Sequence, residues 1–137
     1  MKTLYKADVH VKGGREGVIK SADNRLELKL TPPKELGGSG AGVNPEQLFA
    51  AGYGACFESA VRYVAKQKKV SVTESSVEGS VTLHPRPEGG FSLGVRLVVS
   101  LPGLDQAVAN ELLTAADSVC PYSHATRGNI PVEIVLG

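Results

Sequence analysis

Apolar and polar residues alternate from Tyr5 to Lys12, with Tyr5, Ala7, Val9 and Val11 on one side and Lys6, Asp8, His10 and Lys12 on the other. A period of two marks a half-buried strand. Gly13-Gly14-Arg15-Glu16-Gly17 breaks the pattern, and its three glycines predict a turn or mobile loop. Val18 to Ser21 resumes a short strand. Ala22-Asp23-Asn24 reads as a hairpin turn, and Arg25 to Leu30 alternates again, with Leu26, Leu28 and Leu30 facing one way. These segments predict a three-stranded meander. Thr31 to Val43 contains Pro32-Pro33, Gly37-Gly38, Gly40 and Gly42, and predicts a loop with no regular element.

The pattern then becomes helical. Asn44 suits an N-cap, Pro45 the first helical position, and Glu46 and Gln47 the first turn, so a helix is expected from Pro45 to about Gln67. From Leu48 to Phe57 it carries no charge, which predicts burial on most sides. Ala50, Ala51, Gly52, Gly54 and Ala55 are small enough to let another backbone approach, whereas Arg62, Lys66, Lys68 and Lys69 bring the helix into water. Val77–Leu83 and Phe91–Leu101 flank the turn at Pro85–Gly90 and read as a hairpin. Asp105 caps a second helix to about Ser118, with Ala107, Val108, Leu112, Ala115 and Ala116 at helical spacing. Pro121 biases Cys120 away from helical angles, and Val132 to Leu136 forms a last strand. The order β-β-β-α-(β)-β-β-α-β, with the bracketed strand optional, predicts an α+β fold.

The 137 residues predict a single domain over 1–137, because two full-sized cores would not fit. Fifteen Lys and Arg balance fourteen Asp and Glu, which gives no electrostatic case for nucleic acid. Only Tyr and Phe supply aromatic rings, with no Trp, which argues against a base-stacking platform. No apolar run nears the roughly 20 residues that span a bilayer. The N-terminus shows no apolar signal region, so the expected compartment is the cytoplasm.

Chemistry must come from few residues. Cys56 and Cys120 lie far apart in sequence, without a CxxC or His cluster, so no metal site is expected. A reducing compartment disfavours a structural disulfide. If the two sulfurs meet, a transient, chemically used disulfide is the better reading. Taken alone, each cysteine reads as a small buried apolar residue. Arg15 alone reads as a solvated charge at a loop tip, and Glu46 as a first-turn acid favoured by the helix dipole. His10, His84 and His124 show no special role, and Tyr122 and Ser123 read as shaping the turn at Cys120.

Two long stretches change this picture. Asn44-Pro-Glu-Gln-Leu-Phe-Ala-Ala-Gly-Tyr-Gly-Ala-Cys-Phe57 and Val119-Cys-Pro-Tyr-Ser-His-Ala-Thr-Arg-Gly-Asn129 closely resemble the signatures of the organic hydroperoxide resistance proteins (Ohr), a branch of the Ohr/OsmC superfamily of thiol peroxidases. The Gly13–Gly17 and Pro33–Gly38 runs match as well, so the resemblance covers essentially the whole chain. It implies an OsmC-like fold, in which an N-terminal meander and a second sheet pack around two main helices in an intertwined homodimer. It implies that Cys56 is the peroxidatic and Cys120 the resolving cysteine, and that Arg15 and Glu46 organise the peroxide site. Similar proteins reduce alkyl and fatty-acid hydroperoxides to alcohols. They are recycled by dihydrolipoyl groups on lipoylated proteins and bind no metal, flavin or haem.

The chemistry suits these residue types. A thiolate attacks peroxide, and an apolar helix raises a thiol pKa, so a cation must oppose that rise. Arg15 stays charged and presents a rigid fork, one edge of which can hold Glu46. Leu48, Phe49 and Phe57 are expected to favour an alkyl or acyl substrate over hydrogen peroxide. After oxidation the Arg15 loop is expected to swing out and admit the lipoyl arm. Glu46 and Cys56 are ten residues apart, about 15 Å along a straight helix. Either the helix breaks near Gly52-Tyr53-Gly54, or Glu46 meets the Cys56 of a second subunit; the small-residue helix favours a homodimer with two interface sites. The competing readings are an OsmC-type peroxidase with another substrate preference, and a non-catalytic domain holding an apolar ligand.

Overall fold

The computed structural model describes every residue from Met1 to Gly137. Its elements are β1 (Val9–Lys12), β2 (Val18–Ser21), β3 (Glu27–Lys29), α1 (Pro45–Gln67), β4 (Ser76–Pro85), β5 (Phe91–Ser100), α2 (Gln106–Val119), α3 (Pro121–Thr126) and β6 (Val132–Leu136). The class is α+β, as the pattern predicts. The chain divides into two compact units, Met1–Leu48 and Phe49–Gly137, and the boundary falls inside α1.

In the first unit, β1, β2 and β3 form the expected antiparallel meander. Its outer strands are shorter than the alternation predicts. β1 starts at Val9 rather than Tyr5, because its ladder with β2 ends at the Val9–Ser21 pair. Beyond it only the Ala22 N–H reaches back, to the Asp8 carbonyl at 2.9 Å. Tyr5, Val9, Val11 and Val18 are exposed, and the unit buries only Ile19 and Leu30 as apolar core. The Ala22–Asn24 turn forms as expected: the Ser21 hydroxyl donates to Asp23 Oδ1 at 2.6 Å, as does the Arg25 N–H at 3.0 Å. The 31–43 segment is not wholly irregular. Lys34–Leu36 makes one 3-10 turn, and Leu30 bridges to Val43 in parallel.

In the second unit, β4 and β5 pair antiparallel along their full length, and β6 joins β5 in parallel. A parallel neighbour needs a crossover, which α2 and α3 supply. Tyr53, Phe57, Val61 and Val64 of α1 pack into one core with Leu97 and Val99 of β5 and Leu112 and Ala116 of α2.

α1 has the predicted ends. Asn44 Oδ1 accepts the Gln47 N–H at 2.8 Å, and Gln47 Oε1 accepts the Asn44 N–H at 3.1 Å, a reciprocal cap. The helix runs unbroken through all 23 residues, so the break considered near Gly52-Gly54 does not occur. It is not buried all round: Tyr53, Gly54 and Phe57 are buried, while Ala51 and Ala55 are exposed. An uncharged run shows that neither side needs water, not that this chain covers both sides.

Three further expectations are corrected. The optional strand after α1 does not form; residues 68–75 hold no strand. The buried stripe of α2 is Ala109, Leu112, Leu113 and Ala116, and Ala107 is exposed because it lies in the first turn, where its N–H donates to the Asp105 cap. The short helix α3 was not expected: six residues are too few for a periodic signal. Pro121 in its first turn, after an extended Cys120, is the cue that marks it.

Candidate active site

The functional candidates form two clusters, one in each unit. In the first, Arg15 rides a 3-10 turn over Gly14–Glu16, the turn that the glycine run predicts. The turn closes through the Gly17 N–H donating to the Gly14 carbonyl at 3.2 Å. Gly17 is required there, because a Cβ at this position would overlap the Lys12 carbonyl. Arg15 meets Glu46 through two parallel bonds, Nη1 donating to Oε2 at 2.9 Å and Nη2 to Oε1 at 2.7 Å. This fork-on-fork contact fixes orientation as well as charge. The Arg15 side chain remains 42% exposed and that of Glu46 16%. Hydrogen bonding to Arg15 holds the Glu46 carboxyl below its ordinary value against the opposing effect of burial, and the same bond raises the Arg15 pKa. The carboxylate therefore stays ionised and the guanidinium aimed.

In the second cluster, α1 carries Cys56, and Cys120 ends α2 and precedes α3. Both thiols are free; Cys56 is half-buried and Cys120 is buried at 1% exposure. Cys120 has the extended backbone that the following proline demands (φ −69°, ψ 121°). Its thiol adjoins Cys56 closely enough to act on it electrostatically. Burial pushes the Cys56 thiol up, and the adjoining Cys120 adds to this through charge and hydrogen bonding, while the Tyr122 backbone N–H pulls it back. None of the groups acting on Cys56 is a cation.

The aromatic candidates separate. The Phe49 ring packs edge-on against Tyr53 and Tyr122, with centroids 6.4 and 6.3 Å away. It also lines a cleft of about 600 Å³ with Phe91, Leu93 and Ile130, where Arg86 and Glu88 lie as well. Leu48 is half-buried in the first unit. Phe57 is wholly buried in the core, so it backs the Cys56 turn of the helix and offers no surface to a ligand.

Residue-level reading missed the network behind Cys120. Tyr53 Oη is hydrogen-bonded to Ser123 Oγ at 2.8 Å and to Thr126 Oγ1 at 3.3 Å, all buried. A tyrosine in the uncharged Leu48–Phe57 run of α1 is the available signal, since a buried phenol needs a partner. Gly52 was read only as small. A Cβ there would lie 2.7 Å from the Tyr122 hydroxyl, so glycine makes room for that ring.

The sequence model of the OsmC-like protein family matches residues 37–135, a span holding Glu46, Cys56 and Cys120. The chain belongs to the OsmC-like family, in its organic hydroperoxide resistance branch. An organic hydroperoxide resistance protein of Xanthomonas axonopodis pv. citri is 50% identical over 137 residues, 98% of this chain and 96% of that protein. A crystal structure from Legionella pneumophila, described as an organic hydroperoxide resistance protein OsmC, is 48% identical and superposes with a TM-score of 0.96 over 99% of each chain. A Vibrio cholerae structure, of a putative organic hydroperoxide resistance protein with captopril bound in one of its active sites, is 46% identical. Its TM-score is 0.95, covering 99% of this chain and 94% of that one. The OsmC-like fold expected from the signatures is therefore the fold of this chain. No helix is long and apolar enough to cross a membrane.

Proposed function

We propose that this OsmC-like protein is a cysteine-dependent peroxidase that reduces alkyl and fatty-acyl hydroperoxides to alcohols. The observation that carries the reading is the juxtaposition of two free thiols, one half-buried and one buried, in a chain whose relatives are named for organic hydroperoxide resistance. The Cys56 thiolate attacks the terminal peroxide oxygen. The O–O bond breaks, the alkoxide takes a proton and leaves as the alcohol, and Cys56 becomes a sulfenic acid. The Cys120 thiolate then attacks the Cys56 sulfur and expels the hydroxyl, which leaves as water once protonated, to form the disulfide. A dihydrolipoyl group, free or on a lipoylated protein, returns two electrons by thiol–disulfide exchange. No resident cofactor enters, because the thiols carry both electrons. Such a disulfide has to be reopened, which suits the reducing cytoplasm.

The working unit in this proposal is a homodimer. Burial alone leaves Cys56 a poor thiolate, and the guanidinium that corrects this is bound to Glu46, about 15 Å of helix away along an unbroken α1. We assign the Arg15–Glu46 pair facing each Cys56 to the second subunit. The exposed Ala51 and Ala55 of α1 and the exposed Val9, Val11 and Val18 of the meander are apolar surface that such a partner would cover.

A coupled assay tests the reading. tert-Butyl and fatty-acid hydroperoxides are compared with hydrogen peroxide, and dihydrolipoamide with thioredoxin as reductant. The organic substrates with dihydrolipoamide are expected to give the fastest turnover, and Cys56→Ser to abolish it. Cys120→Ser is expected to keep one stoichiometric oxidation without recycling. If Cys56→Ser leaves turnover intact, the cysteine mechanism is wrong.

A further inference from the structure

We infer that Tyr53 is a positioning residue for disulfide closure: its hydroxyl moors α3 to α1 and so holds Cys120 against Cys56. The inference rests on the peroxidase reading above and assigns its second step a residue which that mechanism does not use. Tyr53 lies three residues before Cys56 on α1, on the neighbouring turn. It is fully buried, and its hydroxyl reaches Ser123 and Thr126 at 2.8 and 3.3 Å.

The segment it holds needs an anchor. α3 has six residues, far below the length at which a helix is stable by itself. Cys120 is its N-cap, and the Cys120 carbonyl accepts the His124 N–H at 3.0 Å, so the thiol moves with this helix. At the other end, Arg127 Nη2 donates to the Asp117 carbonyl at 2.6 Å. That contact ties α3 to α2, the helix Cys120 terminates, and does not fix its distance from α1. The Tyr53 hydroxyl bonds α3 directly to the helix that bears Cys56. Thr126 keeps a second acceptor in the Ser123 carbonyl at 3.3 Å, whereas the side-chain partner of Ser123 Oγ is the Tyr53 hydroxyl. Removing the phenol oxygen strands Ser123 and loosens the junction on the side that faces Cys56.

A tyrosine that only fills the core would act on stability alone. A positioning residue acts on the partition of the sulfenic acid, which either closes to the disulfide or is oxidised further to a sulfinic acid. The test uses the full-length protein with Tyr53→Phe and Ser123→Ala, which keep the packing and remove the bond from either end. Reduced protein is treated with a fixed excess of tert-butyl hydroperoxide, and disulfide and sulfinic acid are quantified by intact mass. The pH profile of Cys56 alkylation is recorded in parallel. Each variant is expected to raise the sulfinic-to-disulfide ratio roughly fivefold, the scale of one lost hydrogen bond. The double variant is expected to add nothing further. The alkylation midpoint of Tyr53→Phe is expected to rise, because the Tyr122 N–H that faces Cys56 rides on α3. If partition and midpoint match the wild type, whatever the melting temperature does, Tyr53 only fills the core and the inference falls. If wild-type Cys56 does not react with the hydroperoxide at all, the peroxidase reading falls first and takes this one with it.

Discussion

Cys56 sits where its own chain disfavours the thiolate that the proposed mechanism uses. Burial and the neighbouring Cys120 raise its pKa, and one backbone N–H opposes them. The complement proposed for this site is a guanidinium held in a fixed direction, and the two-bond contact with Glu46 holds that of Arg15 so. Arg15→Lys keeps the charge but cannot hold both carboxylate oxygens. A guanidinium aimed loosely costs transition-state positioning, so kcat/KM for an organic hydroperoxide is expected to fall roughly tenfold or more. Wild-type kinetics in this variant would remove Arg15 from the site. The same pair sets a pH limit. The folded Glu46 pKa lies below the unfolded one, so its stabilisation is fully present above the ordinary value near 4.3 and disappears as pH falls through the folded value. Because Arg15 is 42% exposed, water screens the pair, and its stabilisation is under about 1 kcal/mol. A carboxyl-carbon NMR titration is expected to place the Glu46 midpoint below that of an exposed glutamate, and Arg15→Ala to return it upward. A midpoint that ignores Arg15 would contradict the geometry.

The elements that carry these residues are held by short-range features, some legible in the sequence and some not. The turn under Arg15 depends on Gly17, where a Cβ would overlap the Lys12 carbonyl. Because that obstacle is backbone, Gly17→Ala is expected to destabilise the protein by about 1–3 kcal/mol in urea denaturation and to lower activity along with Arg15→Lys. Unchanged stability would mean that the turn tolerates a wider path. Asn44, Pro45 and Gln47 announced the start of α1 because capping is written in adjacent residues. The meander order was legible for the same reason, since each strand pairs with its neighbour in sequence. The ends of β1 and β3 were not, because strand length depends on a partner strand rather than on the alternation itself. α3 escaped notice because six residues carry no period. The candidate residues Glu46, Cys56 and Cys120 were picked out by contiguous signatures, and Arg15 by the glycine run around it. Tyr53 was not, because its hydroxyl partners lie 70 and 73 positions away and only folding brings them together. Phe57 is no substrate contact for a related reason: Cys56 is half-buried, but one residue further along the helix the side chain turns wholly into the core.

At the scale of the molecule, the proposed site is divided between two chains. In a two-fold dimer each site would take Cys56 and Cys120 from one subunit and Arg15 and Glu46 from its partner. The division can be tested by complementation without further structural work. Arg15→Ala and Cys56→Ser are each expected to be inactive as homodimers. In a mixed dimer, the Arg15→Ala chain supplies an intact Cys56 and the Cys56→Ser chain an intact Arg15, so one of the two sites is whole. If the inactive variants are unfolded together and refolded at equal concentration, half of the dimers are mixed, and activity should recover to about a quarter of the wild-type value. A site built within one chain gives the opposite result, because no subunit in the mixture then carries both residues and activity stays at the level of the separate variants. Sedimentation of the same sample separates the remaining outcomes. Twice the mass of one chain with recovered activity supports shared sites, and the same mass without recovery places Arg15 and Cys56 in one subunit. A monomer would leave the exposed valines of the meander and the alanines of α1 without the partner proposed for them.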